Sequence, residues 1–130
     1  MLLDILTADA RFGPASRDAL KQCRREGSLI ASDVVWAETA GWFSTGHEVR
    51  AAMQRLAVEF SAVTASSAER AGACWRRYRA DGGTRQRQVS DFLIGAHALE
   101  QADRLLTRDR GFHRRYFSEL HVLDPASPGR

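Results

Sequence analysis

Apolar positions along the chain recur with two periods. From Gly13-Pro14 to about Glu26 they follow the spacing of an amphipathic helix, with Pro in the first turn and Gly27 at the exit. Leu2 to Ala8 reads as the tail of an earlier helix. Ser28-Leu-Ile-Ala-Ser32 is a short apolar run between polar residues and predicts a buried strand. The next helix starts near Asp33 and passes Trp36, Glu38 and Trp42. Gly46 separates it from another, His47 to Glu59, with Val49, Met53, Leu56 and Phe60 at helical spacing. Phe60 to Thr64 is the second strand candidate, and Ser66-x-x-Glu69 is a capping box that opens a helix ending before Gly82-Gly83. After a polar, arginine-bearing loop, Ser90-Asp91 opens an apolar helix through Ala102. Arg104 to Thr107 then predicts a strand, Phe112 to Phe117 a helical turn and Leu120 to Leu123 a last strand.

Short strands alternating with longer helices require crossover connections. The pattern therefore predicts an α/β fold with a mainly parallel sheet covered on both faces. We expect one domain over residues 1–124, with a frayed tail over 125–130. In such sheets ligands sit beyond the carboxyl ends of the strands, which directs attention to residues that follow a strand.

Composition narrows the setting. With 130 residues and 44% hydrophobic side chains, the chain can bury a core without staples. Cys23 and Cys74 lie far apart without metal-ligand spacing, so a reducing, cytoplasmic setting is expected. No apolar run approaches membrane-spanning length, and neither secretion nor membrane insertion is indicated. The net charge of +3 is unevenly spread: residues 76–115 hold ten arginines against five acids. Such guanidinium density suits phosphate binding, although a bias toward Arg (Lys21 is the single lysine) explains the same counts.

Three carboxylates stand out. Glu38 has Val34, Val35, Gly41 and Trp42 as helical neighbours, so its charge is set on an apolar stripe and calls for a cation, an arginine or a raised pKa. Pairing with an arginine at the stripe's edge is its structural alternative. Asp109 follows the Leu105-Leu106-Thr107 strand; Asp-Arg-Gly111 could equally be a simple turn. Asp91 heads an apolar helix, where capping is the plain explanation. Brought together, the three would form a set of hard oxygen ligands suited to Mg²⁺ or Mn²⁺. The four histidines show no ligand spacing, and His97 reads as a satisfied core residue. Trp36, Trp42 and Trp75 read as core residues rather than base-stacking platforms.

Ser90-Asp-Phe-Leu-Ile-Gly-Ala-His-Ala98, followed by Ala102-Asp-Arg-Leu-Leu-Thr-Arg-Asp-Arg-Gly-Phe112, resembles the C-terminal half of VapC-type PIN-domain toxins. Ile30-Ala-Ser-Asp-Val-Val-Trp-Ala-Glu38 is similar to that family's second motif. The resemblance implies a three-layer α/β/α PIN-like fold, Mg²⁺-dependent endoribonuclease activity with Mn²⁺ as a substitute, a homodimer, and neutralisation by a cognate antitoxin. It implies metal ligation and catalysis by Glu38, Asp91 and Asp109, with a supporting hydrogen bond from Thr107. Arg85, Arg87, Arg108 and Arg110 are the expected RNA-backbone contacts. Family members begin with a strand ending in Asp-Thr-Asn or Asp-Thr-Ser, which is not present ahead of Asp4; Asp4 corresponds to a later position and takes no role. A start assigned too late and a degenerate module that binds antitoxin or RNA without cutting are the two readings of that departure.

Overall fold

The computed structural model describes residues 2–6 and 9–126. The expected end of the first helix at Ala8 and the tail beyond residue 126 lie outside the described residues. Helix α1 (Leu2–Leu6) leads to α2 (Gly13–Glu26), and the Asp9 carboxylate accepts the N–H groups of Arg11 and Phe12 to shape the turn between them. Strand β1 (Leu29–Ser32) runs directly into α3 (Asp33–Ala40), because the Ser32 hydroxyl accepts the Val35 N–H at 3.2 Å and caps the helix. Thr45 caps α4 (Gly46–Arg55) in the same way.

Two expectations fail at the ends of these helices. Helix α3 stops at Ala40, so Trp42 leaves the apolar stripe and stands 68% exposed rather than in the core. Helix α4 does not continue to Glu59: its C-cap is Leu56, and Ala57 turns the chain with a left-handed φ of 58°. Strand β2 (Val58–Ser61) begins at once, two residues before the expected Phe60. Phe60 is thus a strand residue, 55% exposed, with its ring edge-on to Trp36 at 5.5 Å between centroids. Trp36 and Trp75 do pack against core clusters, as expected.

Helix α5 (Ala65–Ala80) starts two residues early for the Ser66/Glu69 box; Thr64 caps it by accepting the Ser67 N–H at 3.1 Å. Helix α6 (Val89–Gln101), strand β3 (Leu105–Leu106), α7 (Arg110–Tyr116) and β4 (Val122–Leu123) complete the described chain close to where their patterns place them. Helices α5 and α6 pack side by side around Phe92 and Phe117, both fully buried. Gly95 lets the Phe117 ring at the end of α7 lie directly against α6, since a Cβ there would collide with that ring. His97 is buried and its Nε2 lies 3.1 Å from the Ser61 hydroxyl, the satisfied core residue expected.

Both strand pairs are parallel, β1 with β2 from Leu29↔Val58 to Ser32↔Ser61, and β3 with β4 at Leu105↔Val122 and Leu106↔Leu123. Among the described residues the two pairs are not hydrogen-bonded to each other. A cavity of about 540 Å³ lies between them, lined by Leu29–Ser32 of β1, Leu105–Thr107 at β3, and side chains of α2, α3 and α6. The edges of β1 and β3 that have no strand partner among the described residues therefore share one space, with Glu38 and Thr107 on its wall.

Candidate active site

Local rules place each of the three carboxylates. Glu38 rides on α3, which β1 feeds without a loop. Asp91 is the third residue of α6, and its carboxylate accepts the Gln88 N–H at 2.9 Å in a reciprocal capping box. Its helix-cap role is therefore real, and Gln88 rather than Ser90 is the cap residue. Asp109 stands three residues after β3 and directly ahead of α7; its N–H donates to the Thr107 hydroxyl at 3.1 Å. Thr107 thus braces the backbone of Asp109, while its own N–H pairs with Leu123 of β4.

The side chains form a sequence of interacting charges. Partial burial pushes the Glu38 carboxyl above the ordinary carboxylate range, and the negative charge of Asp91 pushes it further. Glu38 is exposed overall, so solvent screens this push. Asp91 in turn acts on Arg87 and on His113. Asp109 has both oxygens occupied: Arg87 Nη1 donates to Oδ2 and Arg87 Nη2 to Oδ1, the latter at 3.1 Å. The Arg87 guanidinium also lies 4.3 Å from the centroid of the Phe112 ring. Asp109 therefore does not form the simple turn that its sequence allows; its side chain makes no helix cap.

Behind this row sits His113, only 4% exposed, with its Nδ1 lacking a hydrogen-bond partner. Burial holds the imidazole below its ordinary value, with Arg87 acting in the same direction and Asp109 and Asp91 against it. The spacing of the four histidines gives it no role, and nothing local in the sequence marks it.

The arginines expected at RNA fall in different places. Arg85 and Arg108 are exposed and Arg110 is half-buried at the start of α7. Arg108 lies 3.9 Å from the Phe12 ring centroid, with Arg11 at 4.8 Å from the same ring, so a second basic group joins this side that sequence reasoning did not single out. Arg87 faces Asp109 instead of solvent, a partnership across 22 positions that no local pattern announces.

An all-carboxylate donor set suits a hard divalent cation. The arrangement fits one only in part: Glu38 and Asp91 are electrostatically coupled, whereas Asp109 is committed to Arg87. Among the described residues no three acidic, histidine or cysteine side chains surround a common point.

Comparison with known proteins agrees with this architecture. The family profile of the PIN domain matches residues 2–118. Among solved structures, the crystal structure of VapBC2 from Rickettsia felis bound to a DNA fragment from their promoter matches with a TM-score of 0.62 and 18% identity. The match covers 82% of this chain and 82% of that one. No curated protein matches the sequence.

Proposed function

The chain belongs to the PIN-domain family, and on that premise we propose that it is a divalent-metal-dependent endoribonuclease, the toxin of a toxin–antitoxin pair. PIN domains are generally nucleases and typically use a divalent metal. The observation that carries the reading is the row Glu38–Asp91–Arg87–Asp109, in which residues far apart in sequence act on one another's charge. Of its three carboxylates, Glu38 and Asp109 follow strands and Asp91 heads a helix, where an α/β sheet places its chemistry.

Glu38 and Asp91 would hold Mg²⁺ or Mn²⁺, with Asp109 joining once Arg87 releases it. The cation would polarise a phosphate and supply a bound water of lowered pKa. Asp91 is held in place by the Gln88 N–H, so its carboxylate is presented without a search over rotamers. Glu38, with its carboxyl held above the ordinary range by partial burial and by Asp91, is a proton acceptor candidate at its side-chain oxygen. Thr107 fixes the turn that carries Asp109. Arg85, Arg108 and Arg110, with Arg11 beside Arg108, would receive RNA phosphates, contacts that give affinity without reading sequence.

A cognate antitoxin, a homodimer and a cytoplasmic setting complete the proposal. The first rests on the fold shared with the Rickettsia VapBC2 structure. Among the described residues no helix is long and apolar enough to cross a membrane. The second reading, a module that binds antitoxin or RNA without cutting, is favoured by one observation: the Asp109 carboxylate is already occupied by Arg87.

The test is incubation of the purified chain with total RNA, single-stranded DNA and a small phosphodiester, each with Mg²⁺, with Mn²⁺ and with chelator. Chelator-sensitive cutting of RNA alone is the expected result. RNA left intact with both metals would refute the enzyme and leave the binding module.

A further inference from the structure

Arg87 is not a casual surface cation. On its amino-terminal side the loop is anchored: the Gly83 N–H donates to the Tyr78 carbonyl, and the Tyr78 hydroxyl donates to the Thr84 carbonyl, both at 2.8 Å. On its carboxyl-terminal side Gln88 is locked to Asp91 through the capping box. The backbone at Arg87 is thus tied at both ends to the two helices that flank the site. The side chain then stacks on the buried Phe112 ring and grips both oxygens of Asp109. A two-pronged guanidinium–carboxylate pair on an aromatic face is the strongest arrangement available to these groups, and it uses the same oxygens a cation would need.

We propose that Arg87 is an internal counter-ion that takes the cation's place at Asp109, so that this residue sets how tightly the centre binds a divalent metal. The inference rests on reading the site as a cation-binding centre and adds its regulation. With Arg87 in place, a dication must displace a bound positive charge and then tolerate it nearby. Without it, both Asp109 oxygens are free and the site gains one unit of negative charge. Arg87 and Asp109 side chains are 29% and 42% exposed, so solvent screens the pair and the expected effect is moderate.

The experiment is calorimetric titration of Mn²⁺ into metal-free wild type, Arg87→Gln, Arg87→Lys and the double variant Arg87→Gln/Asp109→Asn, without RNA, at one ionic strength. Arg87→Gln should bind Mn²⁺ about tenfold more tightly than wild type, equivalent to about 1.4 kcal/mol. Arg87→Lys, which keeps the charge but lacks the fork, should fall between them, and removing Asp109 as well should abolish the gain. If Arg87→Gln does not fold, as judged by circular dichroism, the lysine variant carries the comparison. Affinity unchanged or weakened by loss of the guanidinium, or no binding by any variant, overturns the proposal. The nuclease reading is judged separately by RNA cutting in the wild-type chain, so the two can fail independently.

Discussion

Asp91→Asn separates the two roles that the structure gives Asp91. The substitution keeps the size of the side chain and an oxygen able to accept the Gln88 N–H, now held at 2.9 Å, so the capping box survives in shape. What is lost is a negative charge in the first turn of α6, where it complements the helix dipole; at a half-exposed position that is worth about 0.3–1 kcal/mol. For a domain of this size such a loss lowers Tm by roughly 1–6 °C. The effect on the site is different in scale, because one of the two coupled carboxylates becomes neutral. A drop in RNA cleavage of about 100-fold or more is expected, together with loss of Mn²⁺ binding. The Glu38 carboxyl should also relax downward, since the Asp91 charge no longer opposes its ionisation. The assay pairs fluorogenic RNA cleavage with a thermal melt and a Mn²⁺ titration of the same preparation. A variant that melts within a few degrees of wild type and cuts RNA at the full rate would show that Asp91 is a helix cap and nothing more.

Two glycines in helix interiors should respond in opposite ways to alanine. Gly95→Ala drives a Cβ into the Phe117 ring, which is fully buried and cannot move aside. An overpacking cost of about 1–3 kcal/mol should outweigh the gain of up to about 1 kcal/mol in helix propensity. Gly72→Ala, with nothing within 4 Å of its Cβ, should stabilise by about 0.5–1 kcal/mol. Urea melts read both, and two changes of the same sign would show the close packing of Phe117 on Gly95 of α6 to be wrong. Stability should also fall with acid through histidine. Burial holds His97 and His113 below the ordinary value of 6.5, so the unfolded chain takes up protons first. Their contribution is complete above 6.5 and is lost as pH falls through the lower folded-state values. Across urea midpoints at pH 7.5, 6.5 and 5.5, the wild type should lose stability relative to His113→Phe, which removes the titrating ring, as pH falls; parallel curves would mean that His113 is not held neutral by the fold.

What the sequence determined was what local periodicity and local chemistry can encode. The α2 stripe with Pro14 and Gly27 at its ends, the apolar runs of β1 and β3, and the amphipathic α6 appear within a residue or two of their expected places, because each rests on contacts inside its own turn or strand. Asp91 and Asp109 were legible as candidates from their positions at a helix start and after a strand. The places where the reading failed are those where a neighbouring choice overrode a continuing pattern. Phe60 keeps helical spacing from Met53 and Leu56, yet the left-handed turn at Ala57 hands it to β2, and Trp42 keeps its spacing past the point where α3 stops. Long-range pairing carried no sequence signal at all. The grip of Arg87 on Asp109, the burial of His113 behind it and the space between the β1–β2 and β3–β4 pairs depend on how whole elements dock. Docking is decided by packing and charge compensation summed over the tertiary structure, and a one-dimensional pattern records the partners of such contacts without recording that they meet.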